Sequence, residues 1–168
     1  SLARDGWNLI LHAGTNTEAV ASLASSLQAE FNVRCTDFAI PLENIGEIKA
    51  KIRTIVSENT LGPMGGLVCN AAYNKNGLVA RTTPEDVRKI TSINLESVYN
   101  CTNISLRYML KNSAGAIVYI GSTAGIAGNA GQAAYAMSKA GLSGLCKSMV
   151  REYGAKNIRT NIVAPGWI

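Results

Sequence analysis

Ala116-Ile117-Val118-Tyr119-Ile120-Gly121-Ser122, followed by Tyr135-Ala136-Met137-Ser138-Lys139, is the stretch that decides how this chain folds. An apolar, β-branched run closing on Gly and Ser reads as a buried strand, Ala116–Gly121, that delivers Ser122 at its carboxyl end. Open α/β sheets bind their ligands at that end. A Gly-rich turn from Gly125 to Gly131 then leads into a helix. On that helix Tyr135 and Lys139 stand at i and i+4, hence on one face. The tyrosine–lysine spacing alone is a common accident. The strand-end serine before it and the glycine turn between give it a context in which all three side chains converge on one substrate oxygen.

Outward from this stretch, apolar runs alternate with longer amphipathic segments, the pattern of parallel βαβ units. The expected strands are Trp7–Ala13, Val33–Asp37, Gly65–Cys69, Ala116–Gly121 and Asn157–Val163. Their continuous hydrophobicity suits burial on both faces. The expected helices are Thr17–Phe31, Glu43–Glu58, Thr83–Lys111 and Gln132–Tyr153, with Pro84 in a first turn capped by Thr82 or Thr83. Right-handed crossovers between them predict a Rossmann-like, doubly wound parallel sheet in a three-layer αβα sandwich. The ends look incomplete. Ser1–Asp5 reads as the last turn of a helix closed by Gly6, and the final strand runs into Ala164-Pro165-Gly166-Trp167-Ile168. No GxGxxG or GxxxGxG follows a strand. The expectation is therefore one partial domain, cut from a longer enzyme.

Composition narrows the chemistry. A hydrophobic fraction of 47% and a charged fraction of 16% are those of a globular domain, and no apolar run reaches the length of a membrane span. The net charge of +5 is scattered rather than blocked, which argues against nucleic-acid binding. Cys35, Cys69, Cys101 and Cys146 form no CxxC pair and read as buried thiols in a reducing compartment. His12 is the single histidine, so a multi-histidine metal site is excluded and a Ser-His-Asp hydrolase would have to rest on it. The sequons at Asn100 and Asn103 fall inside an expected helix.

A phenol with a pKa near ~10 protonates a developing alkoxide poorly, and a neighbouring ammonium lowers that pKa. A serine hydroxyl aimed at the same oxygen adds an oxyanion-type hydrogen bond. Ser122, Tyr135 and Lys139 therefore suit carbonyl reduction. The run from Ile120-Gly121-Ser122 through Gly128-Asn129-Ala130-Gly131-Gln132-Ala133-Ala134-Tyr135 to Lys139-Ala140-Gly141-Leu142 resembles the active-site stretch of short-chain dehydrogenases/reductases. Within them it is most similar to 3-oxoacyl-[acyl-carrier-protein] reductases. The resemblance implies a fourth catalytic residue at Asn94, which orders a proton relay through Lys139.

The same resemblance implies a nicotinamide cofactor site. Asn70-Ala71-Ala72 stands where the family has Asn-Ala-Gly, Asp37-Phe38 where it meets the adenine amine, and Pro165-Gly166 near the nicotinamide amide. Tyr135 and Lys139 also touch the cofactor in that family. The stretch His12-Ala13-Gly14-Thr15-Asn16 carries no acidic residue to repel a 2′-phosphate, which favours NADP(H) over NAD(H). The implied substrate is a 3-oxoacyl thioester on acyl carrier protein, and the implied assembly a homotetramer through the two longest helices. Lys147, Arg151 and Lys156 either meet that acidic carrier or form a solvated face. Ala134, where carrier-protein reductases often have Asn, keeps a hydroxyacyl-CoA or hydroxysteroid dehydrogenase open. A non-catalytic subunit of a hetero-oligomer is the other alternative. Cytoplasm or an organelle matrix is the expected location, any targeting segment lying before Ser1.

Overall fold

Two successive strand–helix pairs, β1 (Leu9–Ala13), α1 (Thr17–Phe31), β2 (Cys35–Ala39) and α2 (Ile45–Ser57), make up the first of two compact units, Ser1–Pro63, in the computed structural model. The structure describes residues 2–166, so Ser1, Trp167 and Ile168 of the expected terminal segments lie outside the described residues. Residues 2–6 form a turn, with Gly6 at φ +82 donating to the Ala3 carbonyl. β1 and β2 run parallel, Leu9 opposite Cys35 through Ala13 opposite Ala39.

α1 has the bounds its sequence predicts. Asn16 caps its start by accepting from the Ala19 N–H, and Asn32 stops it in the left-handed region at φ 54. α2 buries Ile48, Ile52 and Ile55, the i, i+4, i+7 stripe of an amphipathic helix. β2 begins and ends two residues later than expected, because Phe38 and Ala39 continue the ladder opposite His12 and Ala13. Asp37 therefore sits inside the strand and not at its end.

The second unit, Met64–Ile168, holds β3 (Gly66–Cys69), α3 (Pro84–Thr91), α4 (Ser97–Asn112), β4 (Gly115–Ile120), α5 (Ala124–Ala127), α6 (Ala133–Tyr153) and β5 (Ile158–Val163). Its three strands are parallel in the order β3-β4-β5. α4 and α6 pack Met109, Leu142, Cys146 and Met149 against Ile117, Tyr119 and Ile158 to make the core. The opposite face of β5 is exposed at Arg159, Asn161 and Val163, so this strand alternates where continuous burial was expected. Parallel sheets flanked by helices give the Rossmann-like α/β class that the alternating pattern predicts.

The expected single helix Thr83–Lys111 is divided. Thr83 caps α3 and Pro84 opens it, as expected, but Ser92–Glu96 forms a π-helical turn before α4 begins. A π-turn inserts a residue into the helical register and rotates the side chains that follow. It lets Asn94 turn fully inward while Ile90 and Val98 stay in the core. Asn100 and Asn103 lie within α4.

Candidate active site

β4 ends at Ile120, and Gly121 and Ser122 continue from it as irregular chain. The Ser122 Oγ accepts the Ala124 N–H at 3.2 Å, an arrangement that occupies its oxygen and leaves its own hydrogen to donate elsewhere. The region read as a plain glycine turn contains α5, one helical turn held by Gly125 N–H to Ser122 carbonyl at 2.9 Å. Gly125 is obligatory for packing. A Cβ there would stand 2.9 Å from the Ala140 nitrogen and the Lys139 carbonyl carbon, so α5 rests directly on the backbone of α6 at Lys139.

Tyr135 lies in the first turns of α6 and lines an open cleft of about 410 Å³ together with Ser122, Ala72, Tyr73 and Gly166. Lys139, one turn further on, is 4% exposed and donates to the Ile120 carbonyl at 2.6 Å. Its Nζ is 5.7 Å from the centre of the Tyr135 ring. Burial pushes the Lys139 amine below its ordinary value, with the neighbouring Cys69 acting the other way. An ammonium has three hydrogens to donate, and Ile120 is the one hydrogen-bond partner of this group among the described residues. The remaining donors, held beside Tyr135, fit a hydroxyl-bearing ligand.

Asn94 is fully buried behind the cleft. Its Oδ1 accepts the Tyr73 N–H at 2.7 Å, and its Nδ2 donates to the Tyr73 carbonyl at 2.8 Å and to the Ser138 Oγ at 3.1 Å. Ser138 in turn donates to the Tyr135 carbonyl at 2.7 Å. Both Asn94 amide hydrogens are thus committed, and the side chain ties the segment after β3 to the helical turn that carries Tyr135. Ser138 did not stand out in the sequence. Its signal was there: a small polar residue three positions after Tyr135, on the same helix face.

The remaining cofactor candidates divide. Ala72 and Gly166 line the cleft, whereas Asn70 and Ala71 lie exposed between β3 and Ala72. Ala72 lies outside the left-handed region, so its methyl strains no backbone where the resembling family has Gly. Pro165 accepts the Thr123 N–H at 3.0 Å and so holds the chain after β5 beside the end of β4. Asp37 and Phe38 belong to the first unit, where Phe38 is buried against His12 at 5.1 Å between ring centres. Among the described residues no group of three or more His, Cys, Asp or Glu is placed to hold a metal ion, and no helix is long and apolar enough to cross a membrane.

Residues 1–168 match the family model described as short chain dehydrogenase. The chain belongs to the short-chain dehydrogenase family of oxidoreductases, which act on carbonyl and hydroxyl groups. Carbonyl reductase family member 4 of Xenopus tropicalis is 38% identical over 151 residues, covering 90% of this chain and 61% of the relative. The 3-oxoacyl-[acyl-carrier-protein] reductase FabG of Staphylococcus aureus is 33% identical over 169 residues, covering 99% of this chain and 67% of the relative. The chain thus spans about 61–67% of the length of these curated relatives. A crystal structure of NAD+-bound xylitol dehydrogenase superposes with a TM-score of 0.92 over 99% of this chain and 63% of that one, at 24% identity, a likeness of fold.

Proposed function

We propose that this chain carries the proton-transfer site of an NADPH-dependent reductase that converts a 3-oxoacyl thioester, carried on acyl carrier protein, to its 3-hydroxyacyl form. The observation that carries the reading is the convergence of Ser122 and Tyr135 on one cleft, with Lys139 buried behind Tyr135 and anchored to the carbonyl two residues before Ser122. When bound, the reduced nicotinamide supplies the hydride. The residues of this chain do the rest. Ser122 donates to the carbonyl oxygen, and Tyr135 gives that oxygen a proton as its charge develops. The Lys139 ammonium favours the resulting tyrosinate and offers its free donors to ribose hydroxyls. Asn94 acts as a positioning residue, fixing Tyr73 and the Tyr135 turn so that the relay keeps its order.

Pro165 and Gly166 serve the nicotinamide side of the cofactor, and Asn70, Ala71 and Ala72 the adenosine side. Asp37 and Phe38 keep the role the family resemblance gives them, toward the adenine. NADPH is favoured over NADH because Gly14-Thr15-Asn16, the stretch after β1, offers no carboxylate to a ribose hydroxyl. Exposed Tyr99 on α4 and Met137 and Val150 on α6 suit contacts between copies in a homotetramer. The location is cytoplasmic or an organelle matrix.

The resemblance to carbonyl reductase family member 4 supports a second reading, reduction of simple carbonyl compounds by the same residues. Turnover of an acetoacetyl thioester by the full-length protein, with NADPH and NADH compared, tests the first. Tyr135→Phe is expected to lower kcat by about 10³-fold. Undiminished turnover would overturn the catalytic assignment, and a lower KM for NADH would overturn the coenzyme preference.

A further inference from the structure

At the mouth of the cleft, a run of carboxamide side chains joins two segments of the second unit. Asn74 Nδ2 donates to Asn76 Oδ1 at 2.8 Å, and Gln132 Nε2 donates to the same oxygen at 3.2 Å. Asn129 Nδ2 donates to Gln132 Oε1 at 2.8 Å. A backbone bond from Gly77 N–H to the Gly131 carbonyl at 2.8 Å runs beside them. Thr82 Oγ1 pins the first segment again, donating to the Leu78 carbonyl at 3.0 Å. Asn74, Asn129 and Gln132 all line the cleft that holds Ser122 and Tyr135. Ala124 and Ala127 line it as apolar contributors.

This rim has a chemistry that the carbonyl reduction does not use. Each carboxamide carries two donors and an acceptor with two lone pairs, and the bonds named above consume only part of that capacity. Asn74 and Asn129 each keep the carbonyl oxygen and one amide hydrogen, and Gln132 keeps one amide hydrogen. Donors and acceptors together match the peptide-like amide, which needs both. A charged group would find neither cation nor anion among these side chains. The strap between the two segments holds the rim in place before any ligand arrives, which reduces the ordering cost of binding.

We propose that Asn74, Asn129 and Gln132 form a subsite for the amides of a thioester's pantetheine-type arm, selecting amide-bearing acyl thioesters over simple ketones. The subsite deepens the reductase reading given above and rests on it. The thioester carbonyl and its sulfur lie beyond the methylene next to the ketone held by Ser122 and Tyr135, and the arm's amides meet the rim as it leaves the cleft.

Two 3-oxo substrates that differ in one group test it: the acetoacetyl thioester of N-acetylcysteamine, which carries an amide, and S-ethyl acetothioacetate, which carries none. Gln132→Leu is expected to lower the ratio of kcat/KM for the first over the second by about fivefold, the worth of one neutral hydrogen bond. Asn129→Ser, which leaves the bonds between the two segments in place, is expected to shift the ratio in the same direction. A ratio that stays constant in both variants while both substrates turn over removes the subsite and leaves the reductase reading standing. Turnover of neither substrate by the unsubstituted full-length protein removes the reductase reading and the subsite with it.

Discussion

The two units are built from the same strand–helix grammar, yet they handle polar groups in opposite ways. In the first, side-chain hydrogen bonds stay at the surface or near it, as with Asn16 capping α1 and Asn44 meeting Glu47. Every buried polar or charged residue among those described belongs to the second, from Asn94 and Ser97 to Ser138, Lys139 and Thr160. Some of these satisfy themselves within α4, as Thr102 does by donating to the Val98 carbonyl at 2.7 Å. Thr102 also meets the Tyr119 hydroxyl in the core, and the Thr160 hydroxyl has no hydrogen-bond partner among the described residues. Asn94, Ser138 and Lys139 reach across elements or turns around the cleft. A buried polar group is costly unless every partner is present. The second unit accepts that cost where it builds a site, while the first follows the ordinary rule of apolar inside and polar outside.

The contrast breaks most sharply at Asn94. Asn94→Ala would leave the Ser138 hydroxyl without its donor and the Tyr73 backbone without either partner. Stability is expected to fall by about 3 kcal/mol. Asn94→Asp keeps the acceptor for the Tyr73 N–H but removes both donated bonds and buries a carboxylate, so it should be no better. Chemical denaturation of the three proteins measures the difference. If Asn94→Ala were neutral, the polar network would be incidental and the two units would not differ in the way described.

How much of this could be read beforehand follows the same division. Both ends of α1 were legible because the amphipathic segment Thr17–Phe31 is a local pattern, whereas the Asn16 cap and the left-handed stop at Asn32 that fix those ends show only in the structure. The strand-end Ser122 and the Tyr135–Lys139 pair were legible because position along a strand and i, i+4 spacing are one-dimensional facts. The π-turn at Ser92–Glu96 was not. No Pro or Gly marks it, and its cause is a tertiary demand, the inward rotation of Asn94. Gly125 looked like one of several turn glycines, and only the contact with the α6 backbone at Lys139 gives its lack of a side chain a reason. Ser138 has one near partner, the Tyr135 carbonyl three residues before it, but its link to Asn94 spans 44 positions and shows only in the fold.

A smaller effect sharpens the comparison through pH. Burial pushes the Cys69 thiol up to about 12, with Cys101 adding to the rise and Lys139 opposing it. Tyr119, fully buried with its hydroxyl 3.0 Å from Thr102 Oγ1, is also pushed up to about 12, chiefly by burial. Both groups are neutral in folded and unfolded chains below the ordinary thiol value of 9.0, so their contribution is complete there. Above it the unfolded chain ionises first and binds fewer protons than the folded one, so stability falls as pH rises toward about 12. Each group contributes a slope of at most about 1.4 kcal/mol per pH unit. Urea denaturation between about pH 8 and about pH 11 is expected to show this decline, and Cys69→Ala to make it shallower. A slope unchanged by that substitution would mean that the thiol is not desolvated.

The smallest expected change in stability falls on the residue with the largest role in the proposed chemistry. Lys139 has its amine pushed down by burial, so the folded state disfavours the ammonium relative to the unfolded chain. Below the folded-state value both chains are protonated and this cost is felt in full. As pH rises from there to the ordinary 10.5, the folded chain sheds its proton first and the cost disappears. Lys139→Met keeps the length of the side chain, removes the buried charge and gives up the bond to the Ile120 carbonyl. These changes oppose each other, and at neutral pH stability is expected to stay equal or rise by about 1 kcal/mol. The gain should shrink as the pH is raised toward the ordinary 10.5, because the folded chain sheds its proton before the unfolded one. Reductase turnover should be lost in the same protein. Denaturation midpoints at neutral and at raised pH, measured beside turnover, separate the effects. A loss of stability above about 2 kcal/mol would mean that the ammonium is a structural anchor for the end of β4. In that case the second unit would be using its buried charge to hold the fold as well as to do chemistry.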